Sequence, residues 1–296
     1  MENLTVCTGF VNIIKPTGES SSNVVCKVKK ILKTKKVGHL GTLDPAASGV
    51  LPIAVGKATK FFDYFLTKDK EYIAVVKFGI ETDTLDSFGQ VINSSNKVVS
   101  EDKIKAVLNE FVGKIKQVPP KYSAIKINGK KACDLARDGV DVEIKEREIN
   151  IYSLELLDKK EENVFRFKVH CSAGTYIRTL FSDIAKKLGT ISTTMVIIRT
   201  KSGSFEIDNA ITIEEFEQTR NVISIEERFN NFQSITITEK EIIKKLLNGV
   251  KLTKTDLKFD FQEKSKFFIK IENQLVGMYH FENDNLLCDV FLYEQR

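Results

Sequence analysis

The sequence predicts a mixed α/β protein of two domains, the second of them small and mainly β. Three observations carry this. The chain has 296 residues, roughly two domains at about 150 residues each. Hydrophobic residues make up 42% and charged residues 29%, enough apolar material for packed cores and too much for wholesale disorder. Strand-like and helix-like periodicities alternate through most of the chain and give way mainly to strands near its end.

GFVNIIK reads as a short buried strand stopped by Pro16 and Gly18. A helix then starts in the serine run Ser20–Ser22, with Val24, Val25, Val28, Ile31 and Leu32 on one face. Its other face carries Lys27, Lys29, Lys30 and Lys33, continued by Lys35 and Lys36. That run is either a solvated face or a surface for a polyanion. A glycine-rich loop, KVGHLGTLDPAASG, leads into the strand VLPIAVG and the amphipathic helix KATKFFDYFL. KEYIAVVKFG is a strand by its β-branched and aromatic content, and Glu101–Val112 is helical with Ile104, Val107, Leu108 and Phe111 in register. Residues 113–142 are lysine-rich, contain two prolines and read as a long excursion from the core. The strands REINIYSLELL and NVFRFKVHC follow, then a helix from about Thr175 to Leu188. Periodicity weakens from Glu214 to Phe232, which sets the expected domain boundary: 1–232, then 233–296. The tail holds a short helix, EKEIIKKLLNG, and the strands FFIKIEN, LVGMYHF and LLCDVFLY.

Composition excludes several classes. The net charge of +5 permits a polyanionic partner without requiring one. Cys7, Cys26, Cys133, Cys171 and Cys288 stand singly; without CxxC spacing, and odd in number, they fit no zinc site, redox pair or disulfide framework. His39, His170 and His280 are too few for a histidine-rich metal centre. No apolar run approaches the 18 or so residues of a membrane span, and the N-terminus lacks a secretory pattern. A soluble protein of a reducing compartment is expected. AVGKATK lacks the earlier glycine and following Ser/Thr of a phosphate loop, no GxGxxG follows a strand, and no GxSxG elbow occurs.

The segment that stands out is GHLGTLDPAASGVLP, Gly38–Pro52. Glycines and Pro45 fix an irregular backbone holding one carboxylate, Asp44, with His39 nearby. Turn chemistry alone uses the same residues. A rigid loop presenting one carboxylate from an apolar strand is the functional alternative.

This segment, extended to GKATK, resembles the catalytic motif of the TruB family of tRNA pseudouridine synthases. KPTGESS (Lys15–Ser21) resembles the family's N-terminal motif, and DKEYIAVVKFGIETDTLDSFG (Asp69–Gly89) its following strand and acidic turn. QVPPKYSAIKINGKKACDLARDG resembles its RNA-gripping insertion, here residues 113–142, and HCSAGTYIRTLFSDIAKKLG with RTKSG its second catalytic stretch. The motifs stand in family order over roughly the first two-thirds of the chain.

The resemblance implies a pseudouridine synthase fold, α+β with a largely antiparallel central sheet, and a small β-rich tail similar to a PUA-type RNA-binding module. It implies an isomerase that cuts C1′–N1 of a uridine, turns the base and rejoins it through C5. Asp44 falls on the catalytic aspartate, and a carboxylate is suited to attack at an anomeric carbon. Three routes stand open for it: a bond to the sugar, addition to the base, or help with a proton shift from C2′. Arg178 falls on the arginine that pairs with the aspartate and keeps it ionised in a desolvated pocket. Tyr72 falls on the tyrosine that packs on the base and is a candidate proton acceptor. Tyr176 and Ile197 fall on positions lining the uracil pocket. His39 falls where a ring fills the space vacated by the flipped nucleotide. Lys130 and Lys131 are expected to contact RNA. Before RTKSG the chain departs from the family at Ile191, Thr193 and Ile198, and of paired arginines only Arg199 remains; the set Asp44, Tyr72 and Arg178 is intact.

The expected protein is therefore a cytoplasmic monomer, free of cofactor and metal, that makes pseudouridine at position 55 in the T loop of tRNA and does not involve a membrane. Two rivals are an RNA-binding folding factor with catalysis secondary and a guide-dependent synthase of a ribonucleoprotein. Neither Asp44 nor Arg178 is needed merely to hold RNA, which argues against the first. The lysine-rich insertion and small tail favour a stand-alone enzyme over the second.

Overall fold

The alternation in KEYIAVVKF and VFRFKVHC becomes the centre of a large sheet in the computed structural model, which describes residues 8–293 apart from 124, 128, 141, 142, 260 and 261. The sheet contains β1 (Gly9–Lys15), β2 (Ser48–Val55), β3 (Lys70–Phe78), β4 (Gly113–Gln117), β5 (Arg147–Glu161), β6 (Val164–Cys171) and β7 (Ser192–Ser202). Their order in space is β1-β2-β7-β3-β6-β5-β4. β7 runs parallel to β2 and antiparallel to β3, and the pairs β3–β6, β6–β5 and β5–β4 are antiparallel. The sheet is thus largely antiparallel, as expected. β3 and β6 bury every second residue, Tyr72, Ala74 and Val76 on one strand and Phe165, Phe167 and Val169 on the other.

Three helices matter for this sheet. α1 (Ser21–Ile31) is capped by Ser20, whose side chain accepts from Asn23 N. α2 (Glu101–Leu108) is capped by Ser100. α3 (Ile177–Lys187) buries Leu180, Phe181 and Ile184, and the Phe181 ring lies 4.7 Å from Phe167.

Some elements differ from the sequence reading. KATKFFDYFL begins as a 3-10 turn (Gly56–Phe61) and becomes α-helical only at Phe62–Leu66. The stretch from Gly113 opens not as a loop but as β4, because Ile115 and Gln117 alternate with lysines along β5. Residues 80–82 and 91–94 form an additional two-stranded hairpin.

By contact density the chain divides into two units. One is Val11–Ile53 with Phe62–Asn221 and holds most of the large sheet. The other joins the chain up to Phe10, Ala54–Phe61 and the chain from Val222. Within it lies a four-stranded sheet of β8 (Ser234–Ile237), β9 (Phe267–Ile271), β10 (Gln274–Glu282) and β11 (Asn285–Phe291), in that order. With α4 (Lys240–Leu247) it encloses its own core of Ile235, Ile242, Leu246, Phe267, Ile269 and Phe281. The small β-rich C-terminal module is present. No helix among the described residues is long and apolar enough to cross a membrane.

Candidate active site

Asp44 sits on an irregular loop between the short strand Val37–His39 and β2. Such a loop takes its shape from the bonds that hold it. Gly18 N donates to Pro45 O at 2.8 Å, and Ala47 N donates to Asp44 O at 3.1 Å. Ser21, in the first turn of α1, donates its Oγ to Leu43 O and accepts Leu43 N, both at 2.9 Å. Lys15 is buried and donates its Nζ to the carbonyls of Pro16 (2.8 Å), Glu19 (2.7 Å) and Pro45 (3.4 Å). Arg199, from β7, donates to Val50 O (2.8 Å), Thr42 O (3.0 Å) and Gly41 O (3.2 Å). KPTGESS therefore has a structural purpose, since both its lysine and its last serine end on the aspartate loop. Gly49 is required as well: its φ is +103°, and a Cβ there would lie 2.3 Å from Arg199 O.

The carboxylate so presented meets Arg178. Arg178 Nη2 donates to Asp44 Oδ2 at 2.6 Å and to Tyr122 O at 2.9 Å, and Nη1 donates to Thr84 O at 2.8 Å. The Arg178 side chain is 3% exposed and that of Asp44 33%. The charge-assisted bond is thus anchored on a buried cation and opens to solvent on the carboxylate side. A small cleft over this pair is lined by Asp44, Tyr72, Tyr176, Arg178 and Ile197, among others. Residues that stand far apart in the sequence converge there. His39 ends the strand before the loop, half-buried and outside this lining. Lys130 is exposed on the hairpin of residues 126–127 and 130–131; the Lys131 side chain lies outside those described.

The TruB family pseudouridylate synthase (N terminal domain) model matches residues 29–177, just over half of the chain. The chain belongs to the TruB family. It is 44% identical over 248 residues to the tRNA pseudouridine synthase B of Clostridium perfringens (strain 13 / Type A), covering 82% of this chain and 84% of that one. With the enzyme of the same name from Alkaliphilus oremlandii (strain OhILAs) it shares 48% over 217 residues, 73% of this chain and 72% of that one. A solved H/ACA RNP bound to a substrate RNA containing 2′-deoxyuridine holds a chain of the same fold, with TM-score 0.68 at 24% identity, covering 97% of this chain and 85% of that chain. The chain is accordingly a pseudouridine synthase.

For a TruB family member, the sequence reading overlooked three supports of this site. Asp86 is 8% exposed and places Oδ2 3.5 Å from Arg178 Nη1. Its Oδ1 accepts from Thr84 Oγ1 (2.7 Å) and Phe88 N (3.0 Å). Arg178 thus lies between two carboxylates, which offsets the cost of burying its charge. Gln117, at the end of β4, exchanges two bonds with the Tyr176 backbone: Nε2 to Tyr176 O at 3.1 Å and Tyr176 N to Oε1 at 2.8 Å. Arg199 appeared only as what remained of an arginine pair, yet it braces the aspartate loop. The acidic turn and QVPP mark where Asp86 and Gln117 lie, but no local pattern says what they face. Of the departures, Thr193 is accommodated by packing, its Oγ1 donating to Ile80 O at 3.0 Å.

The protonation of this TruB site follows from burial. Burial pushes the Tyr72 phenol up to about 12, while the nearby Arg199 guanidinium and its hydrogen bond pull it down. Burial also raises the Tyr176 phenol, opposed by Arg147, which lies 6.0 Å from that ring. Lys15 is lowered to about 8 by burial, against the pull of Asp44 and Glu19.

Proposed function

We propose that this pseudouridine synthase acts on tRNA, at the T-loop uridine numbered 55, working alone as a cytoplasmic monomer. The observation that carries the reading is the Asp44–Arg178 pair, 2.6 Å apart at the base of an aromatic-walled cleft. The names of the relatives support tRNA as the substrate.

The reaction is redox-neutral and keeps every atom of the uridine, so no cofactor or metal enters the proposal. The C1′–N1 bond breaks, the base turns, and a C1′–C5 bond forms; C5 loses a proton and N1 gains one. The uridine leaves its stack to reach the cleft, and the His39 ring fills the vacated space. Arg178 holds the Asp44 carboxylate in place, aimed to act at C1′ as a glycosidase carboxylate does. Tyr72 packs on the base, Tyr176 and Ile197 line its pocket, and the Tyr72 phenolate accepts the C5 proton. Asp86, Gln117 and Arg199 act through these residues as positioning groups. The insertion 113–142, with Lys130 and Lys131, grips the RNA. Residues 1–232 carry the chemistry, and the tail from 233 reaches tRNA beyond the T arm.

The test is the purified protein on a bare tRNA transcript, followed by mapping of pseudouridine. Conversion at position 55 is expected. Tight binding without conversion would instead make it a folding factor, and conversion only with an added guide RNA would make it a guide-dependent synthase.

A further inference from the structure

The lysines at the far end of α1 are unlike most others in the protein. Lys27 is paired with Glu19, Lys114 with Glu148 at 3.1 Å, and Lys116 with Glu146 at 2.5 Å. Among the described residues, Lys29, Lys30, Lys33, Lys35 and Lys36 have no ion pair and no side-chain hydrogen bond. Four of them, with Thr34, line one open groove. Lysines in the last helical turn also complement the helix dipole, which would account for Lys29 and Lys30. It does not account for Lys35 and Lys36, which lie beyond the helix. Nor does it explain Lys33, which has φ +49° where the chain leaves the helix and glycine would be unstrained.

The groove is tied to the site at both ends of α1. The helix begins at Ser21, which is bonded to Leu43 beside Asp44. After the lysines the chain returns through Val37–His39 to the same loop. Eleven residues of helix at about 1.5 Å each set the lysines roughly 16 Å from that loop. An RNA that reaches both the cleft and this groove must therefore extend well beyond the flipped nucleotide itself. A-form RNA is held there through its phosphates, whatever its sequence.

We propose that Lys29, Lys30, Lys33, Lys35 and Lys36 form a docking surface for the phosphate backbone of the RNA duplex adjoining the target uridine. The inference rests on the chain acting on a flipped uridine in RNA. It assigns the stem to α1, apart from the insertion.

The experiment compares the full-length protein with a Lys29→Gln/Lys30→Gln/Lys33→Gln/Lys35→Gln variant on a T-arm hairpin. Affinity is measured across a salt series, alongside thermal unfolding and single-turnover rate at saturating RNA. With roughly 0.7 to 0.9 slope units per phosphate contact, the variant's log–log salt slope is expected to be shallower by about 3. Its affinity at moderate salt should fall at least tenfold, with unfolding temperature and saturated rate unchanged. On a hairpin whose stem linkages are methylphosphonates, the two proteins should bind alike. Parallel salt slopes on the normal hairpin would overturn the proposal and leave a solvated face. A loss of equal size on the methylphosphonate hairpin would overturn the assignment to the stem. Failure of the synthase reading is separately visible, as a wild type that binds but forms no pseudouridine.

Discussion

Ser21 and Leu43 exchange two hydrogen bonds through a single hydroxyl, Oγ donating to Leu43 O and accepting Leu43 N at 2.9 Å each. The pair fastens the start of α1 to the residue next to Asp44. A helix terminus thereby joins Lys15 and Arg199 in setting where the carboxylate points.

Ser21→Ala removes both bonds and leaves a buried carbonyl and amide of Leu43 without that partner. The expected cost is about 1–3 kcal/mol of stability. A fall in single-turnover rate of about ten- to a hundredfold should accompany it, because the loop loosens, while RNA affinity stays within about twofold. Urea unfolding and single-turnover kinetics check this; an unchanged rate with reduced stability would make the serine a structural residue only.

Gln117→Leu keeps the volume but removes the amide that holds the Tyr176 backbone at the start of α3. Because Arg178 lies two residues on, the expected result is a rate about ten- to a hundredfold lower at saturating RNA. An unchanged rate would show that α3 is set by its apolar packing alone.

Tyr72 gives the pH dependence. A phenol raised to about 12 enters the cycle protonated at neutral pH, and its base form grows about tenfold per pH unit below that value. If Tyr72 accepts the C5 proton, the single-turnover rate of the wild type should rise with pH between about 7 and 9. Tyr72→Phe should hold the base and lose that rise along with most of the rate. A flat wild-type profile across this range would contradict the role.

The tail is bound into a larger aromatic cluster than its own strands supply. Phe268 of β9 lies 6.4 Å from Phe61 and 5.4 Å from Phe229, which are themselves 5.0 Å apart. A cut after Phe232 uncovers those rings. The fragment 1–232 is expected to unfold more than about 5 °C below the full chain, or to aggregate. A soluble fragment with an unchanged unfolding temperature would contradict this.

Much of the fold was legible where one period governs a segment. β3 and β6 alternate cleanly, and α1 and α3 begin within about two residues of their expected starts. β7 was not legible, although it lies between β2 and β3. It opens Ser-Thr-Thr, and register shifts at Thr194/Val196 and Arg199/Lys201 break its alternation. The Asp44 loop stood out through its motif, and Arg178 through the resemblance. Asp86, Gln117 and Arg199 remained hidden in their roles because each acts across the chain: Gln117 on Tyr176, and Arg199 on Thr42, 157 positions away. Such contacts leave no local period to read.

The most direct test of the account is Asp44→Asn on a tRNA transcript under single-turnover conditions. The amide keeps the shape and can still hydrogen-bond, but it lacks the charge and the nucleophilic oxygen. The expected result is RNA binding close to wild type with pseudouridine formation lowered by about 10⁴ or more. A variant that forms pseudouridine at near the wild-type rate would contradict the assignment of Asp44 as the catalytic group.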